Sequence, residues 1–539
     1  MGQPKTVKEW IFSLDHKILG IFYLVGSIAA FVVAGLMAAL MRVELGSLGP
    51  TLTEDPNVYN VWLTMHGAVM ILGFQIPALL GFFANWAVPI MIGAKDMAFP
   101  RVNALSVWLF WSGVLLALSN FVIPDSFNGM WTGYPPYSET GMAGNTALYT
   151  MIVVVMGMSS VFGAVNLACT VAFMRAPGMG WFQMNILTWS VFSANIIQLI
   201  FVPVLAASVL LLSLDKYLGF GFYDPAQGGD VLLYQNLFWF YSHPAVYVIL
   251  LPFLGVCFEI AATFSRNQIF NYKVLVWSII AFIPIGADVW IHHVFVGGMP
   301  NWLRQLQSFT TLLISIPFGL MLISLVGTLY KGSIEYRAPM HWVIGVIFMI
   351  LIGGLTGIPN ALASIDYGLS DSYAIMSHFH YVMAMSGAMA IFGGIYYYLP
   401  KLTGRMFSEG MAKLSCWLFF IGMNVTMLPL YFIGIEGMPR RYYDYQMFPQ
   451  FEGVQDISTW GMWVAALSIV VMVISWFHCI FAGKKAEANP WGSQSLEFTH
   501  TDVIPGPGNF HEPPTVAADW TPYNYEKEEH VYAQQTVKS

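Results

Sequence analysis

Charge is scarce in this chain. Only 9% of its 539 residues are Asp, Glu, Lys or Arg, against about 25% in an ordinary soluble domain. That excludes a soluble globular protein. Cysteine is scarce too: Cys169, Cys257, Cys416 and Cys479 are scattered, with no CxxC or CxxCH spacing. This excludes a disulfide framework, a zinc or iron–sulfur site built on thiolates, and a covalently attached haem. The formal net charge is −7, so nothing points to nucleic acid as a partner. No internal repeat is evident.

What the chain has in place of charge is apolar length. Hydrophobic residues make up 57%, and stretches long enough to cross a bilayer recur throughout. There are twelve, near 18–42, 60–93, 103–124, 147–174, 186–214, 232–263, 273–297, 308–330, 340–362, 372–400, 412–434 and 458–482. The expected fold is therefore an all-α polytopic membrane protein. Positive charge sets its orientation. With the N-terminus cytoplasmic, fifteen Lys and Arg (Lys17, Lys95 and Arg101 among them) fall on inner segments, and five, Arg42, Lys216, Arg304, Arg440 and Arg441, on outer ones. Both termini are expected inside. Residues 1–483 form one membrane domain, and 484–539, rich in Pro and Gly, a polar extended tail.

Of the twelve histidines, His341 lies at the inner edge of a span and His478 in the last one, while six lie toward the outer ends of spans: His66, His243, His292, His293, His378 and His380. A lone buried histidine is usually a satisfied core residue. Six at one depth in lipid each need a partner, and metal is the economical one. Residues two apart on a helix point about 200° from each other, so His378 and His380 suit two separate groups on opposite faces. His292 and His293, about 100° apart, can reach one ion. His243 and Tyr247, four apart, share a face, which places a phenol beside a histidine ligand. Any haem is expected to be non-covalently bound.

The motifs "TMHGAVMI", "NWAVPIMIGAKDMAFPRVN", "FWFYSHPAVYVILLP", "WIHHVFVGGM", "GGLTG", "SHFHYV", "GMPRRYYDY" and "NPWG" occur in an order that resembles subunit I of the haem–copper oxidase superfamily, in its cytochrome c oxidase branch. The resemblance covers nearly the whole chain. It implies that His66 and His380 are axial ligands of a low-spin haem, and His378 the proximal ligand of a high-spin haem. His243, His292 and His293 would hold one mononuclear copper. Tyr247 would be the redox tyrosine, cross-linked to His243 in family members, and these two the catalytic pair. Arg440 and Arg441 would meet haem propionates, Arg42 a haem formyl group, and Trp290 the cofactor region. The implied cofactors are two A-type haems and copper, and the reaction is reduction of O2 to water. Implied partners are a subunit II carrying a dinuclear copper or other electron entry site, a subunit III with small membrane subunits, and cytochrome c as donor. The implied setting is a bacterial inner membrane, with membership of a larger respiratory supercomplex and proton translocation left open.

Proton supply departs from the family pattern. The entry aspartate is present as Asp96, followed by Asn103, but Ala104 stands where many members have a second asparagine. Ala245 replaces the glutamate of "HPEVY", and Tyr241–Ser242 resembles the subgroup that substitutes a Tyr-Ser pair. The eighth span reads "PFGLM" rather than "PTGIK", so Phe318 and Met321 replace a threonine and a lysine. Ser370–Asp371 stands where the family keeps a His-Asp pair. One acid is gained: Asp288, four residues before His292, is expected as a buried proton donor near the copper, or as a structurally paired acid. Glu259, near the inner end of the sixth span, reads as an interfacial charge, with a proton entry group as the alternative.

Three functions compete at this point. A terminal cytochrome c oxidase is favoured by Tyr247 and the all-histidine copper set. A non-pumping nitric oxide reductase of the same superfamily is favoured by the missing lysine path and by Asp288. A transporter with histidines along a proton route is the reading from another class, and the absence of haem from the optical spectrum would be its signature.

Overall fold

The computed structural model describes residues 6–525; the expected tail beyond residue 525 lies outside the described residues. Among the described residues, twelve helices are long and apolar enough to cross a membrane. They are α1 (His16–Glu44), α2 (Pro56–Met91), α3 (Pro100–Ser119), α4 (Thr146–Phe173), α5 (Ile186–Leu218), α6 (Val231–Ser265), α7 (Tyr272–Val294), α8 (Asn301–Leu329), α9 (Ala338–Ala361), α10 (Tyr373–Thr403), α11 (Glu409–Ile435) and α12 (Pro449–Ala482). Local chemistry explains many of the starts. Asp15, Asp55, Asn145, Asp230 and Ser372 each accept a hydrogen bond from a backbone N–H of the first turn of α1, α2, α4, α6 and α10. Gly219 and Gly404 end α5 and α10 in the left-handed conformation.

Three spans form the centre. In their most apolar windows, 94% of α6, 83% of α10 and 78% of α2 are buried, against 28–44% for the other nine. These three carry His66, His243, His378 and His380, so four of the six candidate ligand histidines lie where lipid does not reach. The helices there are not uniform. α2 passes through two π-helical segments, Val69–Gln75 and Pro77–Phe83, and α10 through a third, His380–Met385. Pro77 has no N–H to donate, which loosens the ladder of α2 at that point. The helical part of α7 ends at Asp288, and Trp290–Val294 is a 3-10 turn. The expected helix through 297 therefore stops early, so His292 and His293 sit on a tighter turn than the 100° spacing assumed.

From residue 484 the chain runs back along the inner ends of the bundle. Met406 N–H donates to Lys484 O, and Ala486 N–H to Gly404 O. Trp491 Nε1 donates to Tyr397 O, and Val516 N–H to Pro177 O. This strap thereby touches the ends of α10, α11 and α4.

Outer spans pack through small residues. On α11 a Cβ at Gly422 would come within 2.4 Å of Ala465 N of α12, and on α12 a Cβ at Gly461 would come within 2.5 Å of Thr426 N. Both obstacles are backbone and cannot rotate away, the mark of a close helix crossing in lipid. Ser458 Oγ donates across the same contact to Thr426 O at 2.8 Å. Gly422→Ala and Gly461→Ala are each expected to cost about 1–3 kcal/mol as overpacking, read as a lowered midpoint of thermal unfolding in detergent. An unchanged midpoint for both would mean the two helices separate without penalty.

Candidate metal centre

The tautomer of each imidazole follows from its partner, because a carbonyl oxygen can only accept. His66 on α2 gives its Nδ1 proton to Ala34 O of α1 at 3.0 Å. His380 on α10 gives its own to Met376 O at 2.8 Å, and His378 to Gly353 O of α9 at 3.0 Å. In all three the Nε2 lone pair is left free, the arrangement in which a backbone carbonyl orients a metal-ligating histidine.

His66 and His380 form a matched pair. Their rings are parallel within 5° and their centroids are 6.3 Å apart. Each ring centre thus stands about 3 Å from the midpoint, which fits ligation through one nitrogen at about 2 Å. His378 belongs to a different group. It is seated against Gly357 of the "GGLTG" segment, where a Cβ would come within 2.8 Å of its ring. It also lies near His292 and His293. The two-residue spacing therefore separates the two imidazoles as expected, even though His380 opens a π-helical segment.

His243, His292 and His293 each offer a nitrogen within 4.8 Å of the other two. His243 Nδ1 lies 3.1 Å from His293 Nε2, the gap between two nitrogens bound at about 2 Å to one ion. Its other nitrogen, Nε2, lies 2.7 Å from the Tyr247 hydroxyl. His292 Nδ1 is engaged by Thr311 Oγ1 of α8 at 3.1 Å, leaving Nε2 for the ion. The His293 ring stacks on Trp239, centroids 3.7 Å apart and 7° from parallel. Trp290 donates to Asn236 Oδ1 at 3.2 Å and meets Phe240 edge-on, which ties the 3-10 turn to α6. Three imidazoles and no carboxylate suit copper.

Above these groups stand the arginines. Arg42, 8% exposed, donates to Gln455 Oε1 at 2.8 Å, while its Nε is buried without a partner. Arg440 is held by Asp371 at 2.7 Å. Arg441, half-buried beside it, has no hydrogen bond or ion pair among the described residues. Burial and the neighbouring Arg440 both hold its proton affinity below the ordinary arginine value. A guanidinium in that position fits an anionic group, as a haem propionate would provide.

The proton-side residues divide. Asp96 is half-buried in the inner loop between α2 and α3, and burial pushes it up to about 6. Asn103 is buried with both amide atoms unpartnered. Tyr241 and Ser242 are buried, two residues and one residue before His243, and Ser242 Oγ has no partner. Met321, at the family's lysine position, is fully buried, and Phe318 packs against Gly354. Asp288 corrects the sequence-based expectation. It is the last residue of the helical part of α7 and is exposed, so no buried carboxylate of α7 stands beside the copper ligands. A regular helix would carry it one turn below His292. The break into a 3-10 turn rotates the histidines inward and leaves Asp288 outside.

One polar group has no local pattern in the sequence to announce it. A cavity of about 30 Å³ among α1–α5 is lined by Tyr23, Asn85, Ser106, Ser159, Asn195 and Gln198, room for one or two waters. Tyr23 OH lies 2.6 Å from Ser106 Oγ, and Ser106 and Ser159 exchange side chain to backbone hydrogen bonds at 2.7 Å. Isolated polar residues in apolar spans are the signal that would have found it.

Two outcomes follow from these positions. His378→Ala is expected to remove the ligand-binding haem and keep the low-spin signal, whereas His380→Ala does the reverse; optical spectra of the purified protein decide it. Asp288→Asn, on an exposed side chain, is expected to leave turnover within about twofold, and a tenfold loss would return it to the site.

The comparisons agree with this geometry. Residues 18–471 match the family model described as cytochrome c and quinol oxidase polypeptide I. The chain is 39% identical over 531 residues to cytochrome c oxidase subunit 1 of Thermostichus vulcanus, covering 97% of this chain and 95% of that protein. It is 39% identical over 522 residues to the same subunit of Synechocystis, covering 97% and 93%. A solved heme-copper terminal oxidase dimer superposes with a TM-score of 0.73 over 96% of this chain and 89% of that one, at 18% identity, and so supports the fold alone. The chain belongs to the cytochrome c and quinol oxidase polypeptide I family, as the catalytic haem–copper subunit.

Proposed function

We propose that this subunit reduces O2 to water with electrons from a cytochrome c, delivered through a partner subunit at its outer face. The balance is one O2, four electrons and four protons to two waters. The observation that carries the reading is the Tyr247 hydroxyl at 2.7 Å from Nε2 of His243, whose Nδ1 points to the copper set. Bound haem and copper supply the electron storage and the O2 affinity.

What the chain's own residues do is orient and exclude. Carbonyls of α1, α9 and α10 fix the haem-side tautomers, and Thr311, Trp239 and Tyr247 fix the copper-side rings. Tyr247, 6% exposed, is placed to release a proton and an electron at its oxygen. Gly286 of α7 makes room for its ring, since a Cβ there would come within 2.7 Å of it. Arg42 Nε, buried and unpartnered, suits the formyl oxygen of an A-type haem. Arg440 and Arg441 suit the propionates. Protons enter at Asp96 and pass Asn103 into the hydrated cavity at Tyr23, Ser106 and Ser159. The chain is multi-pass, and its place is a bacterial inner membrane beside subunits II and III.

The nitric oxide reductase reading leaned on the missing lysine path, which stands, and on a carboxylate next to the copper. The exposure of Asp288 removes the second support.

Tyr247→Phe is expected to lower O2 consumption at least about a hundredfold, about 2.7 kcal/mol on the barrier, with haem and copper contents unchanged. NO reduction takes two electrons per pair of NO molecules and needs no such donor. A wild-type enzyme faster with NO than with O2, and indifferent to Tyr247→Phe, would overturn the reading.

A further inference from the structure

Two glutamates lie buried at the inner end of the bundle, away from Asp96. Glu259 on α6 is 4% exposed and Glu497 on the strap 0%. Glu259 accepts from Asn185 Nδ2 at 2.9 Å, Leu187 N at 3.2 Å and Tyr523 OH at 2.6 Å. Glu497 is hydrogen-bonded by Ser495 Oγ and, at 3.4 Å, by Tyr398 OH. Asn185 Nδ2 also reaches Ser495 Oγ at 3.0 Å, so one hydrogen-bonded unit holds both carboxyls. The expectation of an interfacial charge at Glu259 does not describe this place.

No salt bridge reaches either carboxyl among the described residues, although the charge of Lys401 acts on Glu497 from a distance. Lys401, the basic residue nearby on α10, gives its ammonium to Ala488 O, Thr501 Oγ1 and Asp502 O at 2.6–3.0 Å. The other titratable groups around the unit are phenols: Tyr397 and Tyr398 of α10, Tyr523 and Tyr525 of the strap, and Tyr272 of α7. Two carboxylates in one dry unit do not both stay charged. Glu259 has three hydrogen-bond donors to Glu497's two. Glu497 keeps the proton, and burial pushes it up to about 8.

A line of unpaired polar atoms starts at this unit. Asn185 Oδ1, Ser190 Oγ, Ser193 Oγ and both amide atoms of Gln198 are buried without partners. They climb α5 through 13 residues, about 20 Å. Ser190 sits against Gly255 of α6, where a Cβ would come within 3.0 Å of its hydroxyl. Phe201 of α5 meets Phe240 of α6 at 5.1 Å, so in this antiparallel pair Gln198 comes level with His243. Buried polar atoms without protein partners in an apolar bundle are the sites of ordered water. Gln198 also lines the cavity at Tyr23, Ser106 and Ser159.

We propose that Glu259 and Glu497 form a proton-holding pair, and that a hydrated path along Ser190, Ser193 and Gln198 carries its protons to the copper side. This rests on the O2-reduction reading, whose four protons it supplies. It gives the chain a second entry where the lysine path is closed by Phe318 and Met321. Asp96 and the glutamate pair then converge at Gln198, below Tyr241 and Ser242.

The test uses the purified membrane complex with reduced cytochrome c. Glu497→Gln and Glu259→Gln are each expected to lower O2 consumption at least about fivefold, with haem content retained. The wild type loses rate as pH rises through about 8, and Glu497→Gln lacks that decline. The infrared carbonyl band of a protonated carboxyl, shifting in D2O, disappears in Glu497→Gln and persists in Glu487→Gln, an exposed strap variant. Glu497→Gln within about twofold of wild type, or an intact band in it, would overturn the proposal. Should a glutamate variant fail to assemble, Ser193→Ala, which leaves the strap untouched, decides by the same fivefold loss. A wild-type complex that does not consume O2 sinks the functional reading instead of the path.

Discussion

A buried imidazole that has given its Nδ1 proton to a carbonyl has one lone pair left, on Nε2. An apolar bundle offers that lone pair few partners other than a metal. Everything at the centre of this protein follows from that constraint. Ala34 O, Gly353 O and Met376 O each take a proton from a histidine, and each thereby fixes both a tautomer and a ring direction. Two of these carbonyls belong to a different span from the histidine, so holding the rings also holds the spans in register. The cost of burying polar groups in lipid is offset only when these bonds are complete, which couples cofactor binding to assembly of the bundle.

The same constraint explains why α2, α6 and α10 are the buried spans. A haem is large, flat and mostly apolar, and it must be walled by side chains on both sides. The ligands therefore come from the helices that lipid does not reach. π-Helical segments fall at or just beyond His66 and His380. Such segments change the angular step locally and re-aim side chains, which regular helices with fixed steps cannot do. On α7 the same end is reached by a break into a 3-10 turn, and it is this break that turns Asp288 away from the ions.

Much of this was legible in the sequence because its signals are long or exact in spacing. Twelve apolar runs became twelve spans, since hydropathy over about 20 residues is set by the bilayer and little else. The ligands were legible because lipid tolerates histidines two apart, side by side and four before a tyrosine chiefly where a metal takes up their lone pairs. What failed was the inference that carried regular helix geometry through the break at the end of α7. Asp288 was placed by counting one turn back from His292, and the helix is not regular there. The cavity at Tyr23, Ser106 and Ser159, and the unit at Glu259, were not legible either. Each is assembled from single polar residues on separate helices, and no local pattern joins them.

Glu259 shows how far context changes the meaning of one residue. In sequence it is a lone acid near the inner end of a span, where snorkelling charges are common. Residues more than two hundred positions later cover it: the strap brings Ser495, Glu497 and Tyr523 over the end of α6 and closes it from water. An acid that would have been solvated becomes one of two carboxyls sharing a dry unit. The strap's Asn509 does comparable work on the Asp96 side, where it accepts from Lys17 Nζ at 2.7 Å and donates to Ala94 O at 2.8 Å. The polar C-terminal segment thus sets the environment of the acids at both inner mouths. The six candidate ligand histidines are positioned by the bundle, whereas Asp96, Glu259 and Glu497 take part of their surroundings from a strap laid across it. The departures at Ala245, Phe318 and Met321 leave all six histidines in the chain, so the two sets of residues are free to vary independently.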